Sequence, residues 1–167
     1  MKFIDVVKRH IGPPVKIDLI VRDLGIDIDM EADLDTEISG QLERQLDGKF
    51  KISSNFMDGE NRKRFTVAHE LGHYMLHAHL IGEGLDDNKA YRSEASGNFH
   101  NRAIKRQHET EANRFAAQIR MPKKMIEKRA KSGKTVQELA ECFKVSAAAM
   151  EIRLKTLGIS VSAGAVV

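Results

Sequence analysis

The 167-residue chain has one cysteine, no tryptophan, two tyrosines and three prolines. A single thiol, Cys142, cannot close an internal disulfide, which excludes a disulfide-stapled scaffold and fits a reducing compartment. No stretch approaches the ~20 consecutive apolar residues of a membrane-spanning helix. Scarce proline, with 41% hydrophobic and 31% charged residues, excludes a disordered tail and a collagen-like rod. The opening Met1-Lys2-Phe3-Ile4-Asp5 lacks the charged-then-apolar layout of a secretory signal, because Asp5 and Lys8-Arg9 interrupt it. These absences leave a soluble globular protein with one real core, expected to be cytoplasmic and free of membrane attachment.

The net charge of +3 is unevenly spread. Residues 1–101 carry 13 basic and 18 acidic side chains, whereas residues 102–134 carry 11 basic and 3 acidic. A basic stretch attracts nucleic acid or an acidic partner, but without a binding motif its plainer reading is a solvated, lysine-rich helical face.

Periodicity divides the chain into an α+β pattern, mainly helical with a small antiparallel sheet of about three strands. Val15, Ile17, Leu19, Ile20, Val21 and Leu24 follow Pro13-Pro14 and read as a helix that Gly25 ends. Ile26, Ile28 and Met30, then Ile38, Gly40 and Leu42, then Phe50 and Ile52 alternate as half-buried strands, and Asp47-Gly48 reads as a two-residue hairpin turn. From about Asp58 the period becomes helical, with Phe65, Ala68, Gly72 and Leu76 on one face. Residues 82–106 form a long polar stretch, a length that in a compact domain signals function, mobility or a short hidden helix. Further helices are predicted from about Gln107 to Arg120 and from Lys123 to Ala130, with Pro122 breaking the chain between them. After Ser132-Gly133, the capping box Thr135-Val136-Gln137-Glu138 and the turn at Val145-Ser146 outline a helix–turn–helix-like segment. The expected organisation is a domain over 1–131 with the helical segment 132–167 packed on it.

The pattern with a specific chemical meaning is His69-Glu70-Leu71-Gly72-His73. Two histidines four apart share a helix face, about 6 Å apart in rise, and can bind one Zn²⁺. Glu70 points about 100° round the helix, near enough to act as general base on water at the metal without ligating it. The plainer alternative, two surface histidines flanking a solvated glutamate, fits poorly with the apolar runs Phe65-Thr66-Val67-Ala68 and Tyr74-Met75-Leu76 on either side. A catalytic zinc takes a third protein ligand. A helix continuing through Leu76 carries His79 about 15 Å beyond His69, too far, and His77 is also a turn too far along, reading as a surface residue or a support for the ligands. Glu109 is the better candidate. It shares a face with Asn113, which would hydrogen-bond a ligand histidine and fix its tautomer. Glu111 lies on another face and reads as solvent-exposed. For His108 three roles stay open: bystander, ligand, or donor to the reaction intermediate. Taken alone, this segment reads as an ordinary amphipathic helix.

Phe65-Thr66-Val67-Ala68-His69-Glu70-Leu71-Gly72-His73, then Glu109-x-x-Ala112-Asn113-x-Phe115-Ala116 and Met121-Pro122, resemble the ImmA/IrrE family of metallopeptidases. So does Leu139-Ala140-x-x-Phe143-x-Val145-Ser146-x-x-Ala149-Met150-x-x-Arg153-Leu154-x-x-Leu157-Gly158, and the resemblance spans most of residues 15–158. It implies a zincin-like active-site helix and a thermolysin-like zinc site, with His69, His73 and Glu109 as ligands. It further implies a zinc-dependent endopeptidase that cleaves an XRE-type helix–turn–helix repressor, relieving repression in a mobile-element, stress-response or toxin–antitoxin-like system. The chain departs from the family in having Ile119-Arg120 where two leucines often stand, and in the length between His73 and Glu109. A sensor segment after residue 158 is not expected, so any signal is expected through a partner or a small ligand.

Tyr91, His100 and His108, from the long stretch or its edge, are candidates to stabilise the tetrahedral intermediate beside the metal. A substrate strand is expected to pair with an exposed edge of the 26–53 sheet. Two histidines and a carboxylate also accept Mn²⁺ or Fe²⁺. Two rival readings stand beside hydrolysis. One is a zinc-bound protein that acts by docking to the repressor. The other is direct DNA binding through residues 135–157, against which the apolar start Ser146-Ala147-Ala148-Ala149 argues, since a recognition helix opens with polar or basic groups.

Overall fold

A computed structural model describes residues 2–81 and 104–162 together with the backbone of 91–94. In chain order the elements are α1 (Phe3–His10), α2 (Ile17–Asp23), β1 (Asp27–Ala32), β2 (Ile38–Arg44), β3 (Phe50–Asn55), α3 (Glu60–His77), β4 (Tyr91–Glu94), α4 (Arg106–Arg120), α5 (Lys123–Ala130), α6 (Val136–Phe143) and α7 (Ala147–Leu157). Among the described residues no helix is long and apolar enough to cross a membrane. The architecture is α+β and mainly helical, as expected, but the sheet differs from its sequence reading.

That sheet has four strands in the order β1-β3-β2-β4, and β1 runs parallel to β3, so it is mixed rather than antiparallel. The cause lies at the buried end of β3. The Asn55 side-chain amide donates to the carbonyls of Leu34, Asp35 and Ile38 at 3.2, 3.1 and 2.8 Å. It thereby pins the link between β1 and β2 across the end of β3 and seats β3 between them. The β2–β3 hairpin is longer than two residues. Gly48 N–H donates to the Gln45 carbonyl at 2.9 Å and Gln45 N–H to that of Lys49 at 2.7 Å. Gly48 takes φ +82°, so the loop is Leu46–Gly48, a turn closed by a left-handed glycine. β4 falls within the long polar stretch and pairs antiparallel with β2, Ser93 opposite Gly40. It covers the β2 edge, so the outer strands are β1 and β4 and no substrate strand can pair with β2 itself.

Alternation puts Leu42 and Ile52 on the inner face of the sheet, fully buried against Val67, Ala68 and Leu71 of α3 and Ile17, Ile20 and Val21 of α2. α2 begins at Ile17, later than the apolar run suggests, and stops before Gly25 at φ +76°. α1, absent from the sequence reading, contributes Val6 to the same core. Leu76 faces solvent, 46% exposed. A second core gathers Met121 and Ile126 with Leu139, Phe143, Met150 and Leu154. Thr135 and Ser146 cap α6 and α7 with their hydroxyls. A buried arginine ties the two cores: Arg120, next to Ile119 of the first, donates to the Lys144 carbonyl at 2.8 Å beside Phe143 of the second, while Arg153 donates to the Met121 carbonyl at 3.1 Å within the second.

The register between α3 and α4 positions everything that follows. The helices run antiparallel and meet at Gly72, where a Cβ would stand 3.1 Å from Ala112 Cα and 3.2 Å from its carbonyl oxygen. A side chain there would be crowded, and Ala112 or Phe115 would have to give by a few tenths of an ångström to admit it. Gly72→Val is therefore expected to cost about 1–3 kcal/mol by overpacking, read from urea unfolding. Gly12→Ala, which meets nothing within 4 Å, should stay within about 0.5 kcal/mol.

Candidate metal centre

α3 is an 18-residue helix whose middle is buried on every side, from Thr66 to His73. The sheet covers one flank and α4 another, so the 3.6-residue period sends neighbouring side chains into different environments. His69 and His73 face α4, 3% and 0% exposed, while Glu70 faces β2 and is fully buried.

From α4, Glu109 reaches both imidazoles. His69 Nε2 and His73 Nε2 lie 3.0 Å apart. Glu109 Oε2 is 3.3 Å from the first and Oε1 is 3.1 Å from the second. Ligands on tetrahedral zinc at 2.0–2.1 Å are separated by about 3.3–3.4 Å, so the three donor atoms stand near the spacing of one coordination sphere. His69, His73 and Glu109 are the described group able to hold a metal ion.

The polar accounting fits a cation as well. Both Glu70 carboxylate oxygens are buried with no hydrogen-bond partner among the described residues, an expensive arrangement for an anion. Burial pushes the Glu70 carboxyl well above its usual range, and the nearby Glu109 carboxylate pushes it further. Burial also drives His73 down to about 4, against the pull of its hydrogen bond to Glu109, and keeps it in the neutral form that ligates metals. β2 makes room for Glu70 at Gly40, where a Cβ would lie 3.3 Å from Glu70 Oε1 and overlap the Thr66 methyl.

The remaining predicted residues are distributed as follows. Asn113 Oδ1 accepts from His69 Nδ1 at 2.9 Å. His108 accepts the Lys105 backbone N–H on Nδ1 at 3.0 Å, which caps α4, and its ring lies 4.7 Å from that of His77. Tyr91 belongs to β4, but its side chain, like the whole of His100, lies outside the described residues. His79 is exposed in a one-turn 3₁₀ helix, Ala78–Leu80, beyond α3. Two residues carry more than their sequence context suggested. His77 is buried, with Nδ1 3.1 Å from His73 Nδ1. Glu111, read as simply solvent-exposed, accepts from His77 Nε2 at 2.9 Å. The signal for His77 was its spacing of four from His73; Glu111 offered none, because its partner comes from the other helix.

The opposed shifts give a pH signature for the metal-free protein. His73 binds its proton less readily when folded, so its contribution to stability is lost as pH falls from about 6.5 to about 4. Glu70 binds its proton more readily when folded, so its contribution holds at low pH and is lost as pH rises through the raised folded pKa. Glu70→Gln removes only the second. Urea unfolding across pH should show the stability of Glu70→Gln relative to wild type growing as pH rises; a constant difference would contradict the burial of an unpartnered carboxylate.

A comparison with curated proteins finds no match. Among solved structures, a Mycobacterium tuberculosis transcriptional regulator shares the fold, with a TM-score of 0.58 at 18% identity, over 92% of this chain and 44% of that one. The chain thus spans less than half the length of that regulator. The family model of the IrrE N-terminal-like domain, peptidase M78, matches residues 51–155, a span that holds α3, α4 and the whole His69–His73–Glu109 group. The chain therefore belongs to the peptidase M78 family of IrrE N-terminal-like domains.

Proposed function

We propose that this chain is a zinc-dependent endopeptidase and that its substrate is an XRE-type helix–turn–helix repressor. The observation that carries the reading is the triangle of His69 Nε2, His73 Nε2 and a Glu109 carboxylate, 3.0–3.3 Å on each side, beside the unpartnered Glu70 carboxylate. The donor set is that of thermolysin-type zinc. A divalent cation held there supplies Lewis acidity, polarising the scissile carbonyl and acidifying the attacking water.

The chain's own groups do the rest. Glu70 takes the proton of that water on its carboxylate and carries it to the leaving amine. Its burial keeps the carboxylate basic, which suits a proton acceptor working near neutral pH. Asn113 holds the His69 ring through Nδ1. An extended substrate segment adds to the outer edge of β4, which pairs with β2 opposite Gly40, the residue against Glu70. A cavity of about 410 Å³ beside Asn113 and Phe65, walled by Ala117 of α4, Met121 just after it and Ile152 of α7, suits an apolar substrate side chain. In this reading residues 1–131 form the peptidase and 132–167 pack against it.

The repressor as substrate rests on the family resemblance, and the structural neighbour's description as a transcriptional regulator supports a place in transcriptional control. The test uses purified chain and an XRE-type repressor encoded beside it. Wild type should bind one zinc and cut the repressor. Glu70→Gln should keep the zinc and lose about a hundred- to ten-thousand-fold in rate. Glu109→Ala should lose zinc and activity together. Wild-type cleavage by Glu70→Gln would refute the role of Glu70, and zinc-loaded wild type that binds the repressor without cutting it would favour docking. Metal analysis of protein purified without added metal distinguishes zinc from Mn²⁺ or Fe²⁺.

A further inference from the structure

We infer that His77 and Glu111 form a hydrogen-bond relay that fixes the tautomer and orientation of His73, making both of them positioning residues for the metal centre. The inference rests on the metal reading above and names residues that reading does not use.

Proton bookkeeping along the chain of contacts gives the direction. Glu111 Oε2 can only accept, so the proton in its 2.9 Å contact belongs to His77 Nε2. A neutral His77 protonated on Nε2 has a bare Nδ1. That atom lies 3.1 Å from His73 Nδ1, so His73 Nδ1–H donates to it. A neutral His73 protonated on Nδ1 presents a bare Nε2, the atom 3.0 Å from His69 Nε2 and 3.1 Å from Glu109. Each link sets the next, from a carboxylate on α4, through α3, to the donor atom.

The relay is built to hold its shape. His77 is 3% exposed, so its imidazole cannot exchange these partners for water. The His108 ring, pinned by the Lys105 N–H, lies 4.7 Å from it. Gln107 Nε2 donates to the other Glu111 oxygen at 2.9 Å, aiming the carboxylate. His69 is held differently, by the one amide of Asn113. A histidine buried only to fill space would need neither an acceptor toward His73 nor a carboxylate behind it.

Substitutions at His77 separate the acceptor from the bulk. His77→Phe keeps a ring and removes the acceptor. His77→Asn gives up volume but places an amide oxygen near the position of Nδ1. In chelator competition on the full chain, His77→Phe should bind zinc about 10–100-fold more weakly than wild type, and His77→Asn should recover most of that loss. Proton–nitrogen NMR of the zinc-loaded protein should show the His73 Nδ1–H signal in wild type and His77→Asn and its loss in His77→Phe. Wild-type zinc affinity in a folded His77→Phe overturns the relay, as does His77→Asn binding no better than His77→Phe. The Glu111 side chain is 39% exposed, so Glu111→Leu does not threaten the fold and carries the test if His77→Phe does not fold. It should weaken zinc several-fold, with Glu111→Gln near wild type, and unchanged affinity in Glu111→Leu then overturns the relay. A wild-type chain that takes up no zinc overturns the metal reading and the relay together.

Discussion

The structure depends on how closely α3 and α4 approach. Gly72, with no side chain, lets the Ala112 backbone come within a distance at which a Cβ would be crowded, and the residues that matter bracket this crossing. His69 and His73 stand three before and one after Gly72; Asn113 and Glu109 stand one after and three before Ala112. Because the helices are antiparallel, His69 meets Asn113 and His73 meets Glu109. A wider crossing would leave both histidines on α3 but withdraw the carboxylate that completes the set. One glycine therefore converts a pattern within a helix into a three-residue cluster spanning two.

The same packing places charge where charge is costly. Glu70 is sealed between α3 and β2 without a hydrogen bond among the described residues, and Glu109 lies close enough to raise its pKa further. A fully buried carboxylate with a second carboxylate nearby opposes folding of the metal-free chain. Among the described residues the sheet sets Gly40 against Glu70, and no hydrogen-bond donor reaches either carboxylate oxygen. A local arrangement that costs stability and is held in place by a well-packed core on both sides is the pattern of a site shaped for chemistry.

The helices that carry His69, His73 and Glu109 were legible in the sequence because their signals are local. Spacing of four puts His69 with His73 and Glu109 with Asn113 whatever the rest of the chain does. The capping box at Thr135 and the glycine stop at Gly25 are equally local. The sheet was not legible in the same way. Alternation in β1, β2 and β3 reveals strands but not their order, which is decided by Asn55 reaching three carbonyls 17 to 21 residues away. β4 has four residues, too few to show alternation within a polar stretch. α1 spans only eight residues, so its apolar positions Phe3, Val6 and Val7 give too short a window to establish a helical period at the chain start. Glu111 escaped because helix-face arithmetic on α4 alone takes no account of His77 arriving from α3.

α3 is held at separate points by separate parts of the chain, and each tie constrains a different functional group. The sheet fixes the flank that carries Glu70. α4 fixes the flank that carries the histidines. The first turn is held from two sides: Lys144, in the turn between α6 and α7, pairs with Glu60 at 2.9 Å, and Arg120, at the end of α4, reaches the Asn61 carbonyl at 3.4 Å. The exposed Lys144–Glu60 pair adds little energy by itself. The buried Arg120 matters more, because its guanidinium also donates to the Lys144 carbonyl and would be stranded if the helices parted. The helical segment after Ser132 is thus bound to the start of the helix that bears His69 and His73. The same segment also comes close to the site directly, since Ile152 of α7 lines one cavity with Phe65 and Asn113, so a displacement of α6 and α7 would act on the residue that holds His69 as well as on the start of α3.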